Sequence, residues 1–340
     1  MDRARCSAQE FLFYPLNFFQ FFGLVRFNPR TRQKSIIKSI FMVALMVYLV
    51  VEFGINMFLL VHLRQPFTKV QFLRTCSDSV FFGSETITAF LSVLTSYLHF
   101  KKKLSTIDTL CHVDELMHQI GIRLRYNKGW WKPKIIIVVG GLAFWLIIDI
   151  IAFFICSPEH ISVILCIRYS AGLIYWADIC YLLTVLKIIA KHFEKLNQQW
   201  VKLTKTFETN SYYQGGQLPE RIKILIQVHS LLRKLCKIQS YLYGWQLAFL
   251  TISFLTKIVS FTYLIISRDI AYFIGEDYES NLVVYNGYFG SSIMLYFVLC
   301  FSVLHVVVNT RDEVGKFNDM YILSLVRKNI SPPVLTKFVG

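Results

Sequence analysis

The sequence predicts an all-α membrane protein, a polytopic bundle of six transmembrane helices with a cytoplasmic N-terminus and helical extensions into the cytoplasm. Three observations predict it. Of the 340 residues, 55% are hydrophobic, with 30 Phe and 18 Tyr, above the roughly 45–50% apolar content of an ordinary soluble domain. Crossing a bilayer takes about 20 predominantly apolar residues, and runs of that kind recur at 36–63, 79–98, 135–156, 161–186, 241–266 and 288–308. The 36 Lys and Arg residues alternate between connections: segments 1–38, 99–134, 187–240 and 310–340 hold 7, 8, 10 and 5, while 63–78, 157–161 and 267–287 hold 3, 0 and 1. Basic residues next to spans stay in the cytoplasm, so the first set is inside. The net charge of +15 is thereby spread over every second loop. A nucleic-acid surface would gather it on one soluble element, and no nucleic-acid partner is expected.

Taken in order, residues 1–35 form a cytoplasmic or interfacial segment. The polar opening MDRARCSAQE carries no cleavable signal. The run FLFYPLNFFQFFGLVRF, 11–27, is too short and too broken by Pro15 and Gly23 to span, so it is expected as an interfacial or re-entrant helix at the inner leaflet. Residues 36–310 form the bundle with its cytoplasmic extensions, 99–134 and 187–240. The second span is the least apolar, interrupted by Ser84, Glu85, Thr86 and Thr88. Residues 101–126 carry apolar side chains at 104, 107, 110, 113, 116, 117 and 120, the spacing of an amphipathic cytoplasmic helix. Gly140-Gly141 in the third span suits a close helix contact. Span four continues as LKIIAKHFEKLNQQWVKL until Gly215-Gly216. From Pro219, a first-turn residue, to Ile266 nothing stops a helix, which would run roughly 70 Å. Apolar residues at 225, 228, 232 and 235 make a short seam; it fits either the neighbouring extension or another subunit. Residues 311–340 close the chain as a cytoplasmic segment. Of the eight cysteines, Cys6, Cys111 and Cys236 fall on the reducing side. Cys76 and Cys156 lie near outer span ends, where a disulfide or two separate thiols would fit. The sequon Asn329-Ile-Ser331 falls inside and should stay unmodified.

Ionisable residues within the spans point to a site. Glu52, Glu85, Asp149, Arg168 and Lys257 come from five different helices, and each lies on the order of 10–15 Å below the outer surface at ~1.5 Å per residue. Charges placed in a bilayer face the bundle interior or a water-filled cavity and pair there. Asp149 and Arg168, on adjacent antiparallel spans, are expected to form an ion pair. Tyr169, Trp176, Tyr263 and Tyr296 add apolar faces with polar tips. Together these nine residues predict a ligand pocket open to the outside, wet at its mouth and aromatic below. Asp178 lies deeper, and the sequence identifies no partner for it.

Enzyme signatures are absent: the sequence holds no GxSxG, HExxH or phosphate-binding loop, its eight histidines are dispersed, and its cysteines show no metal-ligand spacing. No catalytic residue, metal or cofactor is expected. Four stretches instead carry a family likeness. YPLNFFQFFGLVRF (14–27) resembles the opening segment of the insect gustatory receptors, and TIDTLCHVDELMHQIGIRLRYNK (106–128) resembles their first cytoplasmic helix. HFEKLNQQW (192–200) carries a Phe-x-x-Leu-Asn signature at Phe193, Leu196 and Asn197; HSLLRKLCKIQSYLYGWQLAFL (229–250) carries His229, Leu232 and Tyr243-Gly-x-Gln-Leu247. The likeness spans residues 11 to about 320. It implies a plasma-membrane taste receptor for a small-molecule tastant, working as a ligand-gated cation channel of four like or related subunits. The pocket would lie in the outer half of each bundle, and a seventh helix would line the pore. After Thr310 no such helix and no Thr-Tyr…Gln-Phe pattern follows, so the chain is expected to lack the pore element and not to conduct alone. A secondary transporter or a non-signalling structural membrane protein is the alternative.

Overall fold

The computed structural model describes residues 16–28, 31, 33–62, 69–122, 124, 147, 161–209, 217–274, 293–294, 297–298 and 300–316. Among these residues the elements are helices, apart from one antiparallel bridge between Phe27 and Lys34. In chain order they are α1 (16–21), α2 (Ile36–His62), α3 (Lys69–Leu98), α4 (Phe100–Gln119), α5 (Ile161–Thr209), α6 (Gln217–Ile274) and α7, continuous over 300–316 with helical residues back to 293. The span expected at 135–156 falls outside the described residues except for Ile147, and the span at 288–308 is described in part. Asp149, Tyr296 and the side chains of Cys76 and Cys156 also lie outside them.

Two described stretches are long and apolar enough to cross a membrane, Ile36–Ile55 and Ala171–Leu203, and they sit very differently in the fold. α2 turns Ile37, Ile40, Val47, Val50, Val51 and Phe58 outward, a face suited to hydrocarbon. α5 is central: Tyr175, Ile179, Leu182, Ile189, Phe193 and Leu196 are all buried. α3 and α6 pack against it and against each other, α2 lies on α3, and α4 lies under α6.

α5 runs 49 residues and α6 runs 58, well past any hydrocarbon core. Their continuity follows from the lack of any proline beyond the first turn, where Pro219 of α6 is tolerated. The Leu225, Val228, Leu232 and Leu235 seam is fully buried within the single chain, packed in one core with α4 and α5 residues such as Leu110, Val113 and Phe193. The seam therefore serves intramolecular packing. α4 buries Ile107, Leu110, Val113, Leu116 and Met117. It ends where Gly121 takes φ +81°: the Ile122 amide then donates back to the Met117 carbonyl at 2.9 Å and the Gly121 amide to that of His118 at 3.0 Å, a left-handed cap that favours glycine.

The N-terminal segment is more deeply integrated than a helix lying along a leaflet. α1 ends in the same way at Gly23, φ +69°, with Leu24 donating to Phe19. The chain then turns back through the Phe27–Lys34 bridge. Leu16, Phe19, Leu24, Val25 and Phe27 are buried in the main core, with Phe19 edge-on to Tyr181 at 5.2 Å. Arg26 fixes the hairpin in place: its Nε donates to Ser39 of α2, its Nη1 to the Tyr97 carbonyl of α3 at 3.3 Å, and its guanidinium lies 4.0 Å from the centre of the Tyr97 ring.

Candidate functional site: a buried polar path through the helices

Three helices carry polar residues on the faces they bury. On α3 these are Ser84, Thr88, Ser92 and Ser96, spaced by four so that they share one side. On α6 they are Gln239, Tyr243, Gln246 and Ser253; on α5, Tyr175, Asp178 and Tyr181. The Ser253 hydroxyl donates to Ser84 Oγ at 2.8 Å at one end. Gln239 donates to Thr106 Oγ1 of α4 at 3.1 Å at the other. α3 with α4 and α6 thus run antiparallel with their polar stripes in register over on the order of 20 Å.

Glu52 and Glu85 stand at the Ser84 end. Phe53 and Met57 of α2 lie 3.2 Å from where a Cβ on Gly83 would sit, so the missing side chain lets the two helices close there. Glu52, on a helix that exposes much of its apolar surface, is only 1% exposed, and Glu85 is 5% exposed. Both carboxylates are buried, each one or two residues along its helix from the α2–α3 approach at Gly83. Below them Tyr175 and Trp176 join Ile179, Leu250 and Val303 in a second apolar cluster flanked by Phe254 and Cys300. Gln246 is 1% exposed, and neither of its amide atoms has a hydrogen-bond partner among the described residues. Tyr263 is half-buried. Arg168, Tyr169 and Lys257 lie on α5 and α6, with Lys257 one turn beyond Ser253 on α6. Their side chains, and with them the Asp149–Arg168 pair, lie outside what is described.

The deepest part of the path answers the question of Asp178. Lys103 reaches it from α4: Nζ is 3.6 Å from Asp178 Oδ1, with the two side chains 2% and 0% exposed. The same ammonium donates to Ser96 Oγ at 2.6 Å and to the Leu24 carbonyl at 3.4 Å, and Tyr243 Oη donates to Asp178 Oδ1 at 3.4 Å. The Tyr181 and Tyr243 rings face the ammonium at 5.1 and 5.4 Å. Each buried ion loses several kcal/mol of hydration, so the pair persists because hydrogen bonds and ring faces surround it. One cluster therefore ties together the N-terminal hairpin, α3, α4, α5 and α6. Sequence reasoning missed Lys103 because it stands in Lys101-Lys102-Lys103, a run that reads as solvated. One signal was available: Lys103 is four residues before Ile107 and seven before Leu110, on the face α4 buries.

A second set of contacts joins α4, α5, α6 and α7 further along the helices. His192 of α5 faces Asp114 Oδ1 of α4 with Nε2 at 2.8 Å, and the Ile188 carbonyl with Nδ1 at 2.8 Å. Asn197 donates to the Glu313 carboxylate at 2.8 Å and to its carbonyl at 2.9 Å, and Lys316 donates to the other Glu313 oxygen at 2.6 Å. His229 stacks edge-on with Phe193 at 5.7 Å; burial, reinforced by Arg233, lowers its pKa from 6.5 to about 4. Three of the signature positions noted in the sequence, Phe193, Asn197 and His229, thus hold these helices together.

Buried polar groups thus recur on the facing sides of α3, α5 and α6 from the Ser84–Ser253 contact to the Lys103–Asp178 pair. A family model described as "7tm Chemosensory receptor" matches residues 12–329, nearly the whole chain. Comparison with curated proteins gives no match.

Proposed function

The chain belongs to the chemosensory receptor family whose model it matches, and from that premise we propose that it is a gustatory receptor subunit of the ligand-gated cation channel type. A small molecule enters from outside, contacts the level of Glu52, Glu85 and Trp176, and biases a two-state bundle. The buried polar path is the observation that carries this reading. It leads from carboxylates in the apolar stretch of the fold to the Lys103–Asp178 pair, where α4, α5, α6 and the N-terminal hairpin meet. A ligand that prefers one arrangement of these helices shifts their populations by its difference in affinity and by no more. The channel forms by association with related subunits at the plasma membrane, and the receptor needs no enzymatic step.

The test is electrical recording from cells expressing the chain with and without a related subunit, under panels of water-soluble tastants and of volatile odorants. Cation current evoked by tastants in the co-expressing cells is the expected result. Glu85→Gln should then raise the half-maximal concentration about tenfold, the loss of roughly one buried charge-assisted contact, at unchanged surface level. Responses confined to odorants would make the chain olfactory. Substrate uptake without current would favour the transporter alternative.

A further inference from the structure

Beyond the polar path, α5 and α7 enclose an open groove of about 310 Å³ lined by both signs of charge. α5 contributes Lys187, Lys191 and Glu194; α7 contributes His305, Asn309 and Glu313. Each set is spaced by three or four residues and forms one stripe. The Asn197–Glu313 contact pins the two helices beside one end of the groove. Charge is graded along it. Lys187 and His305 stand at one end; Glu194 and Glu313 stand about two turns further along their helices, with Lys191 less than a turn before Glu194.

The outer face of α7 locates this gradient relative to a bilayer. Phe301, Leu304, Val307 and Val308 are exposed and apolar, whereas Asn309, Arg311 and Asp312 beyond them are exposed and polar. The exposed face of α7 therefore changes from apolar to polar close to Val308, where the edge of a hydrocarbon layer would cross it. The basic end of the groove lies at that edge, and the acidic end projects into water.

We propose that the groove binds the headgroup of a phosphatidylethanolamine molecule, phosphate toward Lys187, Lys191 and His305, ammonium toward Glu194. A zwitterionic headgroup carries its phosphodiester next to the glycerol and its ammonium furthest from the hydrocarbon, the same order as the groove. Lys191 and Glu194 are three residues apart, a rise of about 4.5 Å, comparable with the phosphate-to-ammonium separation in one headgroup. Glu313 already takes Lys316 and Asn197, so Glu194, which accepts one bond from Gln198 at 3.0 Å and lies within electrostatic reach of Lys316, is the main acceptor for the ligand. A primary ammonium donates hydrogen bonds to a carboxylate; the trimethylammonium of choline donates none. Phosphatidylserine and phosphoinositides would bring further negative charge against Glu194 and Glu313. The apolar strip on α7 beside the groove supplies the surface for an acyl chain, which selects the lipid over free phosphoethanolamine.

The experiment is native mass spectrometry of the purified full chain in detergent, titrated with phosphatidylethanolamine, phosphatidylcholine, phosphatidylserine or soluble phosphoethanolamine. Phosphatidylethanolamine should bind about fivefold more tightly than phosphatidylcholine, the worth of roughly one partly exposed charged contact. In Glu194→Gln, an exposed position whose change leaves the fold intact, that ratio should fall to within about twofold. Lys187→Ala/Lys191→Ala should weaken all the lipids together, and soluble phosphoethanolamine should not compete at equal concentration. A wild-type ratio near unity, a preference unchanged in Glu194→Gln, tighter binding of phosphatidylserine, or full competition by phosphoethanolamine would each overturn the proposal.

Discussion

At the scale of single residues, the fold concentrates its largest electrostatic commitments at a few buried groups. Lys103 and Asp178 are the clearest case. Removing one member leaves an ion in the interior without its counter-charge, which costs about 3–5 kcal/mol; removing both does not. Lys103→Met should therefore lower the melting temperature and surface level sharply, and Lys103→Met/Asp178→Asn should recover at least half of the loss. Thermal melts of the two purified proteins check this. His229 gives a second residue-level prediction. Its folded pKa of about 4 lies below the ordinary 6.5, so the unfolded chain binds the extra proton and the folded one resists it. Stability is then full above pH 6.5 and falls as pH drops toward 4, by up to about 3 kcal/mol. Replacing His229 with Asn should flatten that slope in unfolding curves taken across this window.

At the scale of elements, the glycines and the long helices decide the architecture. Gly23 closes α1 with a positive φ, and a Cβ there would sit 2.9 Å from Leu45 Cδ2. Gly23→Ala adds the left-handed penalty, about 1–2 kcal/mol, to that crowding, while Gly121→Ala meets open space and adds only the penalty. The first should destabilise more than the second in paired melts, with the difference arising at the α1–α2 contact. Much of this level was legible in the sequence. α5 and α6 were readable as helices outrunning the membrane because their periodicity continues without a breaker, and the buried face of α4 matched its apolar spacing. Hydropathy finds the apolar part of a helix rather than the helix itself, which is why α3 begins at Lys69, ten residues before the span expected from its apolar run. The hairpin after α1 was hidden for another reason. What buries Phe19 and Arg26 is Tyr181, Tyr97 and Ser39, partners far along the chain that no local pattern specifies. Asp178 stayed unpaired in the sequence reading for the same reason, since its counter-charge sat within a lysine run. Glu52 drew notice because it lies in a strongly apolar run, where a carboxylate is conspicuous, and its side chain is buried.

At the scale of the whole molecule, orientation decides what the polar path can do. Its Glu52–Glu85 end and its Lys103–Asp178 end lie at different levels of the same helices, so only one of them can face an external ligand. We propose that the Lys103 end is the cytoplasmic one: segments 99–134 and 187–240 hold 8 and 10 Lys and Arg, while 267–287 holds one, and such an excess is retained on the cytoplasmic side. An Asn-x-Thr acceptor inserted near Glu276 should therefore be glycosylated in cells, with a mobility shift that a glycosidase removes. The same acceptor inserted near Asn127 should remain bare. The reverse pattern would put α4 and the buried lysine outside and turn the Glu52–Glu85 level toward the cytoplasm. An external tastant would then meet the Lys103 cluster first, a site closed by five packed segments, and reception through the carboxylate level would fail on geometry alone.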